Sequence, residues 1–93
     1  MYTVETLPRF DAEFVEILDF IALDSLNRAL EFYDKLMEKL YNIPHNPLIY
    51  RPRENADKNT RELIFKGYTI PFYIDDEQEK IFILGIFNQN IWK

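Results

Sequence analysis

Two stripes of apolar residues at helical period run almost end to end, leaving only Leu23-Asp24-Ser25 between them. In the first, Phe10, Phe14, Ile17, Leu18, Ile21 and Ala22 recur so that all fall on one face of a helix. Pro8 suits its first turn, where no N–H is needed. Asp11, Glu13, Glu16 and Asp19 lie mostly off that face, and acidic residues in the first half complement the positive end of the helix dipole. At the break, Asp24 or Ser25 can accept hydrogen bonds from the free N–H groups opening a second helix. Leu26, Ala29, Leu30, Tyr33, Leu36, Met37, Leu40 and Tyr41 mark that helix's expected buried stripe. Glu31 and Lys35 form a favourably ordered i,i+4 pair, and Pro44 ends the pattern. Helices so close in sequence form a hairpin, and neither can bury its stripe without a further layer. No heptad pattern is long enough to make that layer a coiled coil.

The layer comes from β-type sequence at both ends. Tyr2 to Thr6 alternates and is rich in β-formers. Glu62–Lys66, a turn at Gly67 and Tyr68–Ile74 read as a hairpin, followed by a turn at Asp75–Gln78. Lys80–Phe87 is nearly continuous in apolar residues, which predicts a central strand covered on both faces. Pro71 cannot donate to a ladder, so it belongs at an edge, a non-bonded position or a bulge. Residues 44–60, with Pro44, Pro47 and Pro52 among asparagines, read as a long loop with some extended structure near Leu48-Ile49-Tyr50. The expected fold is α+β in the order strand, helix, helix, strand, strand, strand. Its helical hairpin packs on a mostly antiparallel sheet, and residues 1–93 form one domain.

Composition narrows the functional classes. The 93 residues include eight Phe, six Tyr and one Trp, enough aromatic area for a compact core. There is no cysteine, which removes thiolate chemistry and disulfides and favours a reducing compartment. No leader-like segment opens the sequence, and no apolar run approaches the ~20 residues of a membrane span. The expectation is a cytoplasmic protein without membrane association. A net charge of −5 argues against general nucleic-acid binding. Residues 1–50 hold nine acidic and four basic side chains, but residues 51–69 reverse the sign. There Arg51, Arg53, Lys58, Arg61 and Lys66 stand against Glu54, Asp57 and Glu62. Such a strip either receives an anionic partner or is a solvated loop.

Few residues offer catalysis. His45 is the only histidine and sits between prolines, without a visible orienting partner. Ser25, the only serine, is better explained as a cap. The Asp75-Asp76-Glu77 cluster lacks the spacing of a calcium loop. Two glycines cannot build a phosphate cradle. Neither a metal nor a cofactor is expected, which leaves the cationic side chains and the polar aromatic C-terminal end.

Three segments carry a resemblance to a known family. Thr60-Arg61-Glu62-Leu63, Gly67-Tyr68-Thr69-Ile70-Pro71-Phe72-Tyr73-Ile74 and Ile81-Phe82-Ile83-Leu84-Gly85-Ile86-Phe87 resemble the signature of RelE/ParE toxins. In that family an arginine opens the first hairpin strand, a "Y-x-I-P-Y" strand follows, and an "I-x-I-L-x-V-x-H" strand closes the sheet. Ala29, Phe32 and Tyr33 in the second helix agree, so the resemblance spans essentially the whole chain.

The resemblance implies the toxin of a type II toxin–antitoxin pair, a class associated with growth inhibition and plasmid stabilization. A cognate antitoxin neutralises such toxins. RelE-like members cleave mRNA on the ribosome with a cationic cluster and often a C-terminal Tyr or His. ParE-like members inhibit DNA gyrase. Here Asn88, Gln89 and Asn90 replace the usual His and Arg, and Thr69 stands where RelE carries a catalytic arginine. Amides neither carry charge nor exchange protons usefully near neutral pH. The pI of about 4.8 also fits poorly with docking into ribosomal RNA.

The expectation is therefore a ParE-like toxin that acts by protein binding, without catalytic residues. Arg51, Arg53, Arg61, Lys66, Asn88 and Gln89 are its expected target contacts. Ile91 and Trp92 either meet the antitoxin or tuck onto the sheet. The alternatives are a ribosome-dependent mRNA endonuclease and a non-toxic antitoxin-binding module.

Overall fold

In the computed structural model, which describes residues 1–88, the chain builds β1 (Thr3–Thr6), α1 (Pro8–Asp24) and α2 (Leu26–Asn42), then two 3-10 turns at Ile43–His45 and Pro47–Ile49. β2 (Arg51–Pro52), β3 (Thr60–Phe65), β4 (Tyr68–Asp75) and β5 (Lys80–Ile83) follow. The sheet order is β1-β5-β4-β3-β2. β1 runs parallel to β5, and every other pairing is antiparallel.

The hairpin corner is a single residue. Ser25 closes α1 through its N–H on the Ile21 carbonyl, and its Oγ accepts the Arg28 N–H at 3.2 Å to open α2. Both expected helices form, and Lys35 donates to Glu31 as expected. The buried face of α2 is rotated from the expected stripe. Ala29, Phe32, Leu36 and Leu40 are buried, whereas Leu26, Leu30, Tyr33 and Tyr41 are exposed. The helix carries a wider apolar arc than one sheet face can cover. Phe32 wins the inward position by packing on Phe14, Phe65 and Tyr68. With Phe10, Leu63, Ile70, Phe72, Ile74, Ile81, Ile83 and Ile86 these residues form one core between helices and sheet.

The sheet departs from expectation in three places. It has five strands rather than four, because Arg51 and Pro52 pair with Glu62 and Arg61. Residues 47–49 are a 3-10 turn rather than extended, and extension begins only at Tyr50. β5 ends at Ile83, not Phe87. Pro71 lies opposite Leu84, where it accepts the Leu84 N–H at 2.9 Å but has no N–H to return, so the ladder stops. Pairing resumes between Thr69 and Phe87. Two steps along β4 then match three along the partner (71 to 69 against 84 to 87), which is a one-residue bulge. Pro71 thus sits at a bulge on an interior strand, one of the places a ladder tolerates it. The helices cover only one sheet face; Phe82 and Leu84, directed to the other, are half-buried.

Glu13 holds the chain after β5 against α1. Its carboxylate accepts the Ile86 N–H at 3.0 Å and pairs with Arg9 at 3.2 Å. The β3–β4 turn places Lys66 and Gly67 at φ 48° and 85°, two successive left-handed residues that suit a tight hairpin.

Candidate functional site: a carboxylate held between two arginines

Register decides which cations meet. Residues paired across strands share a face, so Arg61, opposite Phe72, lies on the helix-covered side with Leu63 and Phe65. Glu62, opposite Pro71 and Arg51, lies on the open side. The three arginines expected to act together are therefore divided.

On the open side, Arg51 Nε donates to Glu62 Oε1 at 2.8 Å, and Arg53 Nη1 donates to Glu62 Oε2. Glu62 is only 8% exposed, while the Arg51 side chain is 64% exposed. Arg53 is further fixed by its N–H on the Thr60 carbonyl at 2.9 Å, and its guanidinium lies 5.3 Å from the centre of the Phe87 ring. Burial of a carboxylate is tolerated only with such partners. Arg51, Pro52, Arg53, Glu54, Asn55 and Glu62 line a groove of about 570 Å³.

On the other side, Arg61 Nη1 donates to the Tyr50 carbonyl at 2.7 Å. Its buried Nε has no hydrogen-bond partner among the described residues. Arg61 pins the end of the 3-10 turns to the sheet. Tyr50 meets Phe72 edge-on beside it. Lys66 stands at the far end of β3, about 17 Å along the strand from Arg61 at ~3.3 Å per residue. Its ammonium lies 5.6 Å from the centre of the Phe65 ring. Asn88 is exposed just beyond the Thr69–Phe87 bridge. Gln89, Ile91 and Trp92, expected as contacts, lie outside the described residues.

The structure thus joins Arg51 and Arg53 but separates Arg61 and Lys66 from them. Glu62, which sequence reasoning passed over, is the residue that organises the pair. Alternation in Thr60-Arg61-Glu62-Leu63 carries the signal, since Arg61 must share a face with the core residue Leu63. His45 is exposed on the first 3-10 turn. Tyr68 packs on Phe32, while Tyr73 lies on the opposite face, as their odd spacing requires.

A hairpin of two helices on this five-stranded sheet is the fold of toxin–antitoxin toxins. A chain of the chromosomal ParDE TA system from P. aeruginosa aligns with TM-score 0.74 and 19% identity, covering 92% of this chain and 94% of that one. The toxin-antitoxin complex RelBE2 from Mycobacterium tuberculosis gives 0.62 and 20%, covering 95% and 91%. The intact E. coli RelBE toxin-antitoxin complex gives 0.62 and 14%, covering 97% and 99%. At these identities the likeness shows the fold alone. No curated protein shows significant sequence similarity to the chain. The sequence model of the family described as "ParE toxin of type II toxin-antitoxin system, parDE" matches residues 4–91. The chain belongs to that family.

Proposed function

We propose that this ParE-family chain acts by binding a protein target, DNA gyrase, and that a cognate antitoxin neutralises it. The observation that carries the reading is the state of the cations. A metal-free ribonuclease needs several positive groups converging on one phosphate, with a residue nearby to move protons. Here Glu62 already occupies Arg51 and Arg53, Arg61 faces the other side of the sheet, and Lys66 is at the far end of its strand. That arrangement favours recognition over cleavage. Arg51, Lys66 and Asn88 are the exposed members of the proposed target-binding set, with Arg53 and Arg61 as supports and Gln89 adjoining Asn88.

Antitoxin binding requires apolar surface that a partner can cover. Phe20, Leu23, Leu26 and Leu30, from 55% to 86% exposed around the helical corner, supply it. Ile91 and Trp92, outside the described residues, are proposed as further antitoxin contacts. The ParDE and RelBE assemblies named above are toxin–antitoxin systems, which supports such a partner for this chain. No helix among the described residues is long and apolar enough to cross a membrane.

A supercoiling assay tests the target. Purified chain at micromolar concentration is expected to inhibit gyrase, and undisturbed supercoiling rejects that target. A translation reaction containing ribosomes is expected to show intact message; cleaved message would replace this reading with the endonuclease. Growth arrest on expression without antitoxin separates a toxin from a non-toxic binding module.

A further inference from the structure

We infer that Glu62 determines the specificity of the Arg51–Arg53 groove, fitting it to a single carboxylate of a protein partner and closing it to a phosphodiester chain. The inference deepens the protein-binding reading above and rests on it. Glu62 sits between the two guanidiniums with one oxygen committed to each. Within the groove lining, Arg51 and Arg53 are matched by Glu54 and Glu62, so the formal charge sums to zero.

A nucleic-acid strand brings one charge per nucleotide and gains affinity by releasing counterions as its phosphates are neutralised. A lining without net charge offers little of that gain. A lone carboxylate needs only one correctly presented guanidinium edge. Arg51 presents one, because only its Nε is committed to Glu62. Among the described residues its two terminal nitrogens make no hydrogen bond, on a side chain 64% exposed. Two parallel N–H groups on such an edge match the two oxygens of a carboxylate. Holding Nε on Glu62 also orders the side chain before the partner arrives, which lowers the entropic cost of binding.

The test compares the full chain with its Glu62→Gln variant, which keeps the side chain's shape but removes the negative charge and leaves one acceptor oxygen where Glu62 offers two. Fluorescence anisotropy with a labelled twelve-nucleotide single-stranded RNA at low salt is the measurement. The wild-type chain is expected to bind weakly. Glu62→Gln is expected to gain about tenfold, the scale of one charge-assisted contact, with steeper salt dependence. Adding Arg51→Gln to that variant is expected to remove the gain. Unchanged RNA affinity in a folded Glu62→Gln chain overturns the inference.

If that variant does not fold, the wild-type chain decides. Titrated with a capped peptide carrying a single glutamate, the Arg51 guanidinium resonances in a nitrogen-15 NMR spectrum are expected to shift, and to shift less with RNA. No response to the peptide, or a stronger response to RNA, overturns it. Neither measurement involves gyrase. A negative supercoiling assay therefore rejects the target without touching the groove's selectivity, and failure here leaves the gyrase assignment to its own assay.

Discussion

Arg61 and Glu62 are adjacent in sequence and lie on opposite faces of the sheet, Arg61 across from Phe72 on the helix side and Glu62 across from Arg51 on the open side. This alternation turns one cationic strip into two devices. One face gains an arginine-bound carboxylate that holds a two-residue strand. The other gains an arginine that fastens the preceding turn through the Tyr50 carbonyl at 2.7 Å.

Glu62→Ala is expected to lower stability by about 1–3 kcal/mol in urea unfolding. The estimate lies below that for a fully buried pair, because the Arg51 side chain is 64% exposed and water can recover part of its solvation. The loss should concentrate at β2, which has only two paired residues and depends on the side-chain clamp. Hydrogen exchange at the Arg53 N–H, bonded to the Thr60 carbonyl at 2.9 Å, would report it. Unaltered protection there would assign the anchoring of β2 to its backbone bonds instead.

Arg61→Met should behave differently. The Arg61 Nε is buried with no partner among the described residues, so the guanidinium carries a desolvation cost that its bond to Tyr50 only partly offsets. A methionine reproduces the arginine's stem only out to about the Nε position; it removes that cost and also the donor to the Tyr50 carbonyl. The expected change is within about 1 kcal/mol of wild type, measured by the same unfolding. A loss several times larger would mean that the Tyr50 carbonyl bond dominates this corner.

Most of the fold was legible in the sequence because its signals are local. Ser25 between two helical stripes predicts the corner, and Gly67 within alternating residues predicts the hairpin. Less legible were features decided by pairing partners. A strand as short as Arg51–Pro52 has no periodicity to read, and it exists because Glu62 and Arg61 lie opposite it. The C-terminal run looked like one long strand because its single local mark of a bulge, the isolated Gly85, does not say where the pairing stops. The break comes from Pro71 on the neighbouring strand. The α2 stripe was ambiguous because apolar residues span more of the helix than the sheet can cover, and only Phe32's three aromatic neighbours settle the rotation. At the site, residue types were visible but their grouping was not. Arginine clusters in sequence need not be clusters in space once strand alternation intervenes.

Gly67→Ala isolates a purely conformational cost. Gly67 has φ +85°, and an added Cβ would meet no atom within 4 Å, so no clash contributes. The expected loss is about 1 kcal/mol, the cost of placing a Cβ in the left-handed region. A thermal melt would show it as a lower midpoint without a change of fold. An unchanged midpoint would mean that the turn relaxes to another type, which hairpin amide shifts would reveal.

Tyr2 provides the pH-dependent prediction. Its hydroxyl donates to Asp76, and that bond, with a smaller contribution from burial and the nearby Asp76, Glu79 and Asp75 charges, raises the phenol above its ordinary 10.0. The folded state therefore favours the protonated phenol. Its contribution is fully present below the ordinary value and is lost as pH rises through the higher folded one. The difference in phenolate absorbance between wild type and Tyr2→Phe should place this group above its ordinary value. Asp76→Asn should bring it back down. A Tyr2 titration unaffected by Asp76→Asn would rule out the hydrogen bond as the main cause.

The exposed apolar corner yields the most direct functional prediction. Leu23 is 86% exposed and Leu26 64% exposed, flanking Ser25 at the tip of the hairpin. Replacing both with serine removes little packing, so stability should change by no more than about 0.5 kcal/mol per site. If an antitoxin segment covers this corner, each leucine becomes fully desolvated in the complex, and paired loss of such contacts weakens binding by roughly tenfold to a hundredfold. Calorimetric titration of a cognate antitoxin into wild-type and Leu23→Ser/Leu26→Ser chains would measure the difference. Because these residues lie on the helices, away from the Arg51–Arg53 groove, the gyrase inhibition proposed for the free chain should persist in the variant. A variant that binds antitoxin as tightly as wild type would move the interface elsewhere, whereas one that loses gyrase inhibition while staying folded would show that target and antitoxin compete for the same corner.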